Sequence, residues 1–142
     1  MTEPGELARM LRVLIIEDEP EERRTLERLF GGTGFEVHSA PNGLEAFSLL
    51  ERLRFDVVIC DVRMPQLGGI GLFQQLEERY PTMASRMIFL TGVGEDPEVG
   101  PFLMTSGQPY VEQPFEIDRL LEMVGRIARR RDSSEMKPID DL

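Results

Sequence analysis

The sequence predicts an α/β protein with a doubly wound, five-stranded parallel sheet. Three apolar runs, at residues 13–16, 57–60 and 87–90, are continuous rather than alternating, which is typical of short strands buried on both faces of a sheet. Segments with apolar residues at helical spacing separate these runs. Strands that alternate with helices indicate parallel pairing, because parallel strands need long crossover connections.

Two weaker segments complete the predicted sheet. The segment FEVHSA at 35–40 alternates like an edge strand, and its His38 is expected to be exposed, with no acidic partner close in sequence. The segment YVEQ at 110–113 lies between Pro109 and Pro114, which keep the residues before them out of the helical region. We expect the strand order 2-1-3-4-5, which is usual for doubly wound sheets of this kind.

Helical periodicity predicts five connecting helices, of which one is irregular. The helices are expected within 19–34, 42–53, 68–81, 95–107 and 116–131. Leu44 and Ile117 are assigned to the buried faces of the second and last helices. Gly100 and Pro101 should break or shorten the helix within 95–107, with Pro97 in its first turn, so we expect this helix to be short, displaced or mobile.

Length and composition limit the classes of protein to which this chain can belong. A chain of 142 residues is most consistent with one domain, expected over 11–131, with flexible or disordered tails at 1–10 and 132–142. The net charge of −10, from 16 basic and 26 acidic residues, argues against a nucleic-acid-binding surface. Neither a membrane-spanning run nor a signal peptide is recognisable, so no membrane association is expected. The single Cys60 excludes an internal disulfide, should be a small apolar core residue, and fits a reducing cytoplasm.

Acidic and polar residues follow the predicted strands directly. Glu17 and Asp18 follow the first strand and Asp61 the third, while Thr91 and Gln113 end the fourth and fifth. The carboxyl ends of parallel strands meet at one edge of the sheet, where ligands of such folds bind. Three carboxylates in one crevice repel each other unless a cation compensates them, and all-oxygen ligation suits Mg²⁺. The alternative is that these acids merely cap the helices that follow.

The segments VLIIEDEP, FDVVICDVRMPQLGG, IFLTG and PYVEQPF resemble the receiver domain of two-component response regulators. The resemblance extends over about residues 11–130 and implies the flavodoxin-like (βα)5 receiver fold. It implies that Asp61 is the phosphoacceptor, and that Glu17, Asp18, Asp61 and the backbone carbonyl of Arg63 hold Mg²⁺. No enzymatic activity is implied beyond the domain's own phosphorylation and dephosphorylation.

The same resemblance implies a switch and its partners. Thr91 matches the hydroxyl residue that bonds the phosphoryl group, assisted by the Gly92 N–H, and Tyr110 matches the aromatic residue that moves with it. The alternatives are a simple strand-end hydroxyl for Thr91 and a static surface aromatic for Tyr110. Arg63 and Val93 match positions that tune hydrolysis of the acyl phosphate. The implied partners are a sensor histidine kinase or histidine phosphotransfer protein and an unidentified effector protein, and a weak homodimer is left open.

Gln113 departs from the family pattern, which has lysine immediately before this proline. A charge-assisted hydrogen bond contributes about 1.5–3 kcal/mol and a neutral one about 0.5–1.5 kcal/mol. The deficit, of the order of 1 kcal/mol, should weaken the bias toward the active conformation about fivefold. We therefore expect phosphorylation chemistry to survive and switching to be impaired.

Two functions remain open at this stage. The first is a Mg²⁺-dependent phosphoacceptor that signals through protein contacts, either as a stand-alone protein or as part of a hybrid sensor kinase. The second is a pseudo-receiver whose partner binding ignores phosphorylation, which Gln113 favours. An aspartyl phosphatase would need a second acid where Arg63 stands, and a flavodoxin-type phosphate loop is incompatible with the acidic EDEPEE segment at 17–22.

Overall fold

The computed structural model describes residues 10–64, 66–92 and 97–130. The elements in these ranges are β1 Arg12–Ile16, α1 Pro20–Gly31, β2 Glu36–Ala40, α2 Gly43–Leu50, β3 Val57–Asp61, α3 Gly69–Arg79, α4 Pro81–Ala84, β4 Met87–Thr91, α5 Val99–Ser106, β5 Tyr110–Glu112 and α6 Ile117–Ala128. The expected tails lie outside the described residues except for Met10. The position of Val93 lies outside them as well.

The five strands form one parallel sheet in the order β2-β1-β3-β4-β5, which confirms the predicted fold class. The register aligns the carboxyl ends of the two central strands, since Ile16 lies opposite Cys60. The residues that follow, Glu17 and Asp61, therefore emerge side by side at the same edge of the sheet. Thr91, which ends β4, lies one strand further along that edge.

Both faces of the sheet are covered, which explains why the strand sequences are continuously apolar. Successive residues of one strand, such as Ile59 and Cys60, belong to different core clusters. The cluster with Cys60 includes residues of α2, α3 and α5, namely Ala46, Leu72, Phe73, Leu76 and Leu103. The cluster with Ile59 includes residues of α1 and α6, namely Leu26, Phe30, Leu120, Val124 and Ile127. Cys60 is fully buried, as predicted.

The helix expected within 95–107 is short, but Gly100 and Pro101 do not break it. Helix α5 begins at Val99, so these two residues lie in its first turn. The first backbone N–H groups of a helix have no partner within it, and proline there removes no hydrogen bond. The prediction of a break is therefore wrong, and Pro97 lies before the helix rather than in its first turn.

Three side chains differ from their predicted exposure. Leu44 is 58% exposed because the buried face of its helix carries Gly43, Ala46 and Leu50 instead. Ile117 is 53% exposed because it stands in the first turn of its helix, before the buried residues begin at Leu120. His38 is half-buried rather than exposed, and its Nε2 lies 2.7 Å from Oε2 of Glu36. The ring of His38 also packs edge-on against Phe55. The acidic partner is thus only two residues away in the sequence.

Among the described helices, none has both the length and the apolar character that crossing a bilayer requires.

Candidate functional site

Three carboxylates meet at the carboxyl edge of β1 and β3. Glu17, Asp18 and Asp61 each offer one oxygen atom, and these atoms all lie within 4.8 Å of one another. Glu17 is almost fully buried at 1% exposure, Asp61 is half-buried and Asp18 is exposed. The structure thus brings together the three acids that the sequence placed in one crevice.

Glu17 is held in place by its own chain. Its Oε2 accepts a hydrogen bond from the backbone N–H of Glu19 at 3.1 Å, and its backbone carbonyl accepts one from Nη1 of Arg23 at 2.8 Å. Its Oε1 is buried and has no hydrogen-bond partner among the described residues. A buried carboxylate oxygen without a donor is costly, so this atom is well suited to a bound cation.

The loop after β3 positions Asp61. Its Oδ1 accepts a hydrogen bond from the backbone N–H of Arg63 at 3.1 Å. The loop then folds back onto the strand, and the N–H of Gly69 donates to the carbonyl of Val62 at 3.0 Å. A Cβ atom at position 69 would lie only 3.0 Å from the carbonyl oxygen of Asp61 and 3.0 Å from Cα of Val62. Glycine is therefore needed for this close approach.

The carboxylates destabilise each other's charges. Burial and the neighbouring charge of Asp61 raise the pKa of Glu17 to about 8. Burial also raises the pKa of Asp61 to about 6, with a further increase from the charge of Asp18, while the Arg63 N–H lowers it. Glu22 contributes to raising both pKa values. It was not singled out in the sequence, although its place on the first turn of the helix after Asp18 could have indicated it.

These residues fit a magnesium ion. The donor atoms are all carboxylate oxygens, one of them is buried without a donor among the described residues, and burial together with neighbouring carboxylates raises the pKa of two of the groups. Mg²⁺ prefers oxygen ligands and typically takes one or two carboxylates together with water and phosphate oxygens. Cys60 is adjacent but unsuited as a ligand, because its full burial raises the pKa of the thiol well above its usual value.

Thr91 and Tyr110 line a cavity of about 560 Å³, called here the Thr91 cavity, together with Arg63 and Gly92. The hydroxyl of Thr91 donates to the carbonyl oxygen of Gly92 at 3.2 Å. Tyr110 is 43% exposed, so its side chain is directed at least partly outward. The two predicted switch residues therefore line one cavity.

Gln113 lies on a different cavity, of about 230 Å³, which it lines with Glu21, Glu22 and Phe115. Strand β5 ends at Glu112, one residue earlier than predicted. The backbone N–H of Gln113 nevertheless donates to the carbonyl of Thr91 at 2.8 Å and prolongs the pairing of β5 with β4. The position that would carry lysine in the resembling family thus borders two carboxylates and carries no charge.

A five-stranded 2-1-3-4-5 sheet with an acidic crevice beyond β1 and β3 defines a receiver-type signalling domain. The family model of the response regulator receiver domain matches residues 13–125, and the chain belongs to this family. Receiver domains are in general signalling modules rather than enzymes, bind Mg²⁺ at an acidic pocket, and interact with histidine kinases and downstream effectors.

Individual relatives agree with this assignment. Over 118 residues the chain is 36% identical to the regulatory protein AtoC of Escherichia coli, covering 81% of this chain and 24% of AtoC. Over 131 residues it is 32% identical to the response regulator protein PilR of Pseudomonas aeruginosa, covering 92% of this chain and 29% of PilR. The chain thus spans about a quarter of the length of these two relatives.

Among solved structures, a putative response regulator from Chloroflexus aurantiacus superimposes with a TM-score of 0.75 at 28% identity. The match covers 86% of this chain and all of that one.

Proposed function

We propose that Asp61 accepts a phosphoryl group from the phosphohistidine of a sensor histidine kinase or a histidine phosphotransfer protein, in a Mg²⁺-dependent reaction. The observation that carries this proposal is the meeting of the Glu17, Asp18 and Asp61 carboxylates within 4.8 Å at the edge of the sheet. A nucleophilic carboxylate beside a divalent-cation site is the arrangement that phosphoryl transfer to aspartate requires. We expect the exchange to take place in the cytoplasm.

In the proposed reaction a carboxylate oxygen of Asp61 attacks the phosphorus atom. The new O–P bond forms as the P–N bond breaks, and the electron pair of that bond returns to the histidine nitrogen of the donor. The hydrogen bond from the Arg63 N–H to Oδ1 orients the carboxylate for this attack. Glu17, Asp18 and the carbonyl of Arg63 would hold Mg²⁺ with Asp61. The ion would neutralise charge on the phosphoryl oxygens during transfer.

The signal that Asp61 is phosphorylated would reach the effector protein through Thr91 and Tyr110. The Thr91 hydroxyl would leave the carbonyl of Gly92 and donate to a phosphoryl oxygen on Asp61, which opens space in the shared cavity for the ring of Tyr110. The surface formed by α5, β5 and α6 would then change its contacts with an effector protein. Homodimerisation through a weak contact is compatible with this output.

Gln113 favours a second candidate, a pseudo-receiver that binds its partner irrespective of phosphorylation. Gln113 is a neutral amide beside Glu21 and Glu22, and an amide would give a phosphoryl group less stabilisation than an ammonium group would. The two candidates share the fold and differ in whether phosphorylation of Asp61 controls partner binding; a chain whose Asp61 does not react can only be the second.

Reaction with beryllofluoride separates the two candidates. The protein is incubated with Mg²⁺ and beryllofluoride, and ¹⁹F NMR detects the bound adduct. Acetyl phosphate followed by intact-mass analysis provides a second, covalent measurement. We expect an adduct that requires Mg²⁺ and disappears in Asp61→Ala.

Asp118→Asn is the matched control for removal of one carboxylate, since Asp118 is exposed in the first turn of α6, away from the acidic cluster. This variant should form the adduct normally. Absence of any adduct in the unchanged protein would contradict the phosphoacceptor and favour the pseudo-receiver.

A further inference from the structure

Phosphorylation of Asp61 would concentrate negative charge in a crevice that is already acidic. The phosphoryl group carries roughly two negative charges at neutral pH. Glu17 and Asp18 belong to the same cluster, and the charge of Glu22 acts on it as well. Gln113 contributes an amide rather than a cation. The phosphorylated state therefore needs positive charge from another side chain in addition to the metal.

Arg23 is the first candidate, but its guanidinium is already engaged. Its Nη1 donates to the carbonyl oxygen of Glu17 at 2.8 Å and fixes the start of α1 against the end of β1. Moving this side chain to the phosphoryl group would release that contact and loosen the Glu17 backbone. Arg23 is therefore better explained as a support for the metal site.

Arg63 is the second candidate, and its position is suitable. It follows Asp61 by two residues, and its backbone N–H bonds the Asp61 carboxylate at 3.1 Å, so its Cα is held close to the acceptor. Its exposed side chain lines the Thr91 cavity beside Thr91 and Gly92. Among the described residues that line this cavity, it is the only cation.

We propose that Arg63 supplies the positive charge that Gln113 lacks, by donating hydrogen bonds from its guanidinium to the phosphoryl group on Asp61 from the side of the Thr91 cavity. The guanidinium is planar and has several N–H donors, so it can donate two parallel hydrogen bonds to two oxygens of one phosphoryl group. It also stays charged at every relevant pH. Phosphoryl binding is a different role from the tuning of hydrolysis that the family resemblance implies for this position. The inference rests on the proposed phosphorylation of Asp61.

Glu112 is the described acid among the residues that line the same cavity. Because this carboxylate is exposed, solvent screens its attraction for Arg63 and makes that attraction weak. The more concentrated charge of the phosphoryl group should therefore attract the guanidinium in preference to Glu112.

The test is a double-mutant cycle on the affinity for beryllofluoride in the presence of saturating Mg²⁺, measured by ¹⁹F NMR titration. The four proteins are the unchanged chain, Arg63→Ala, Gln113→Lys and the double variant. We expect Arg63→Ala to weaken binding about tenfold in the unchanged background and less than about threefold in the Gln113→Lys background. Arg63→Lys should retain part of the affinity. Arg126→Ala, which removes one exposed cation from α6, should have no effect.

Every other outcome contradicts the inference about Arg63. No loss of affinity in Arg63→Ala, or an equal loss in both backgrounds, overturns the inference while leaving Asp61 as the acceptor. A fall in Mg²⁺ affinity without beryllofluoride would show that Arg63 supports the metal site instead, and also overturns it. If the unchanged chain binds no beryllofluoride, the proposed function itself fails, and the inference fails with it.

Discussion

The backbone N–H of Gln113 donates a hydrogen bond to the carbonyl oxygen of Thr91 across 2.8 Å. This bond joins the residue at which the family resemblance implies lysine to the hydroxyl residue at the end of β4. The two residues line different cavities, one beside Glu22 and the other beside Arg63. The neutral amide at position 113 therefore lies beside residues of α1, and not in the Thr91 cavity.

Gln113→Lys should strengthen the phosphorylated state. An ammonium group beside Glu21 and Glu22 replaces a neutral amide with a charge-assisted donor, and beryllofluoride affinity should rise about fivefold. Isothermal titration calorimetry in the presence of Mg²⁺ measures the affinity for beryllofluoride in both proteins. Gln75→Lys makes the same charge change on the exposed face of α3 and should leave the affinity unchanged. Equal gains in both variants would indicate an effect of net charge alone.

Without metal, the stability of the protein should fall as the pH rises from about 5 to about 8. The unfolded chain loses the protons of Glu17 and Asp61 near their ordinary pKa values of 4.5 and 3.8, whereas the folded chain holds them up to about 8 and about 6. The folded state binds more protons in this window, so each increment of pH favours unfolding. Urea titrations in chelator should show that the unchanged protein loses about 3–4 kcal/mol more of its free energy of unfolding over this pH window than Glu17→Gln does. If the stability of Glu17→Gln fell with pH as steeply as that of the unchanged protein, the raised pKa of Glu17 would be contradicted.

Mg²⁺ affinity should increase with pH in the same window. The ion must displace the proton of Glu17, whose pKa is about 8, so affinity should rise by up to about tenfold per pH unit below that value. Titrating Mg²⁺ calorimetrically at several pH values tests this, with the thermal midpoint as a second measurement. Asp61→Asn should bind Mg²⁺ much more weakly, yet unfold at a higher temperature in chelator above about pH 8, where Glu17 has lost its proton and the substitution removes one of three crowded charges. A lower midpoint would contradict the proposed repulsion.

Arg86→Met should destabilise the fold without affecting the chemistry of the crevice. Arg86 is 2% exposed and donates to the carbonyl oxygens of Asp56, Ile127 and Arg130 at 2.9–3.1 Å, which ties the end of α6 to the amino-terminal edge of the sheet. Its removal leaves these acceptors without that donor and should cost about 2–4 kcal/mol in the free energy of unfolding. Chemical denaturation measures this, and beryllofluoride affinity should stay constant while the protein remains folded.

Gly69→Ala should perturb the position of Asp61. The added Cβ would meet backbone atoms of Asp61 and Val62 at 3.0 Å, and these can yield only if the loop after β3 shifts. We expect a cost of about 1–2 kcal/mol in stability together with weaker Mg²⁺ binding. Gly31→Ala, at the end of α1 where no atom lies within 4 Å of the new Cβ, should be neutral or stabilising. Unchanged Mg²⁺ affinity in Gly69→Ala would show that the loop adapts without moving the carboxylate.

Local physical rules explain which elements could be predicted. Buried runs such as 57–60 are short and rich in β-branched residues, which favours strands covered on both faces, and the acids after them then meet at one edge of the sheet. Gly100 and Pro101 were misjudged because proline disrupts a helix only beyond its first turn, and the sequence does not mark where the helix begins. Leu44 fits a helical stripe yet is exposed, because the helix buries the face with Gly43, Ala46 and Leu50, and periodicity alone does not decide between adjacent faces.

The sequence by itself determined the parallel sheet, the identity of the clustered acids Glu17, Asp18 and Asp61, and the missing cation at Gln113. The sheet and the cluster follow from the apolar runs along the chain and from the geometry of strand ends, whereas the missing cation follows from the family resemblance. Only the tertiary structure decided that Oε1 of Glu17 is buried without a donor, that Glu22 adds its charge to the cluster, and that Arg63 shares a cavity with Thr91. The reason is physical: burial and cavity lining depend on how side chains from separate elements pack together, and no single segment encodes that.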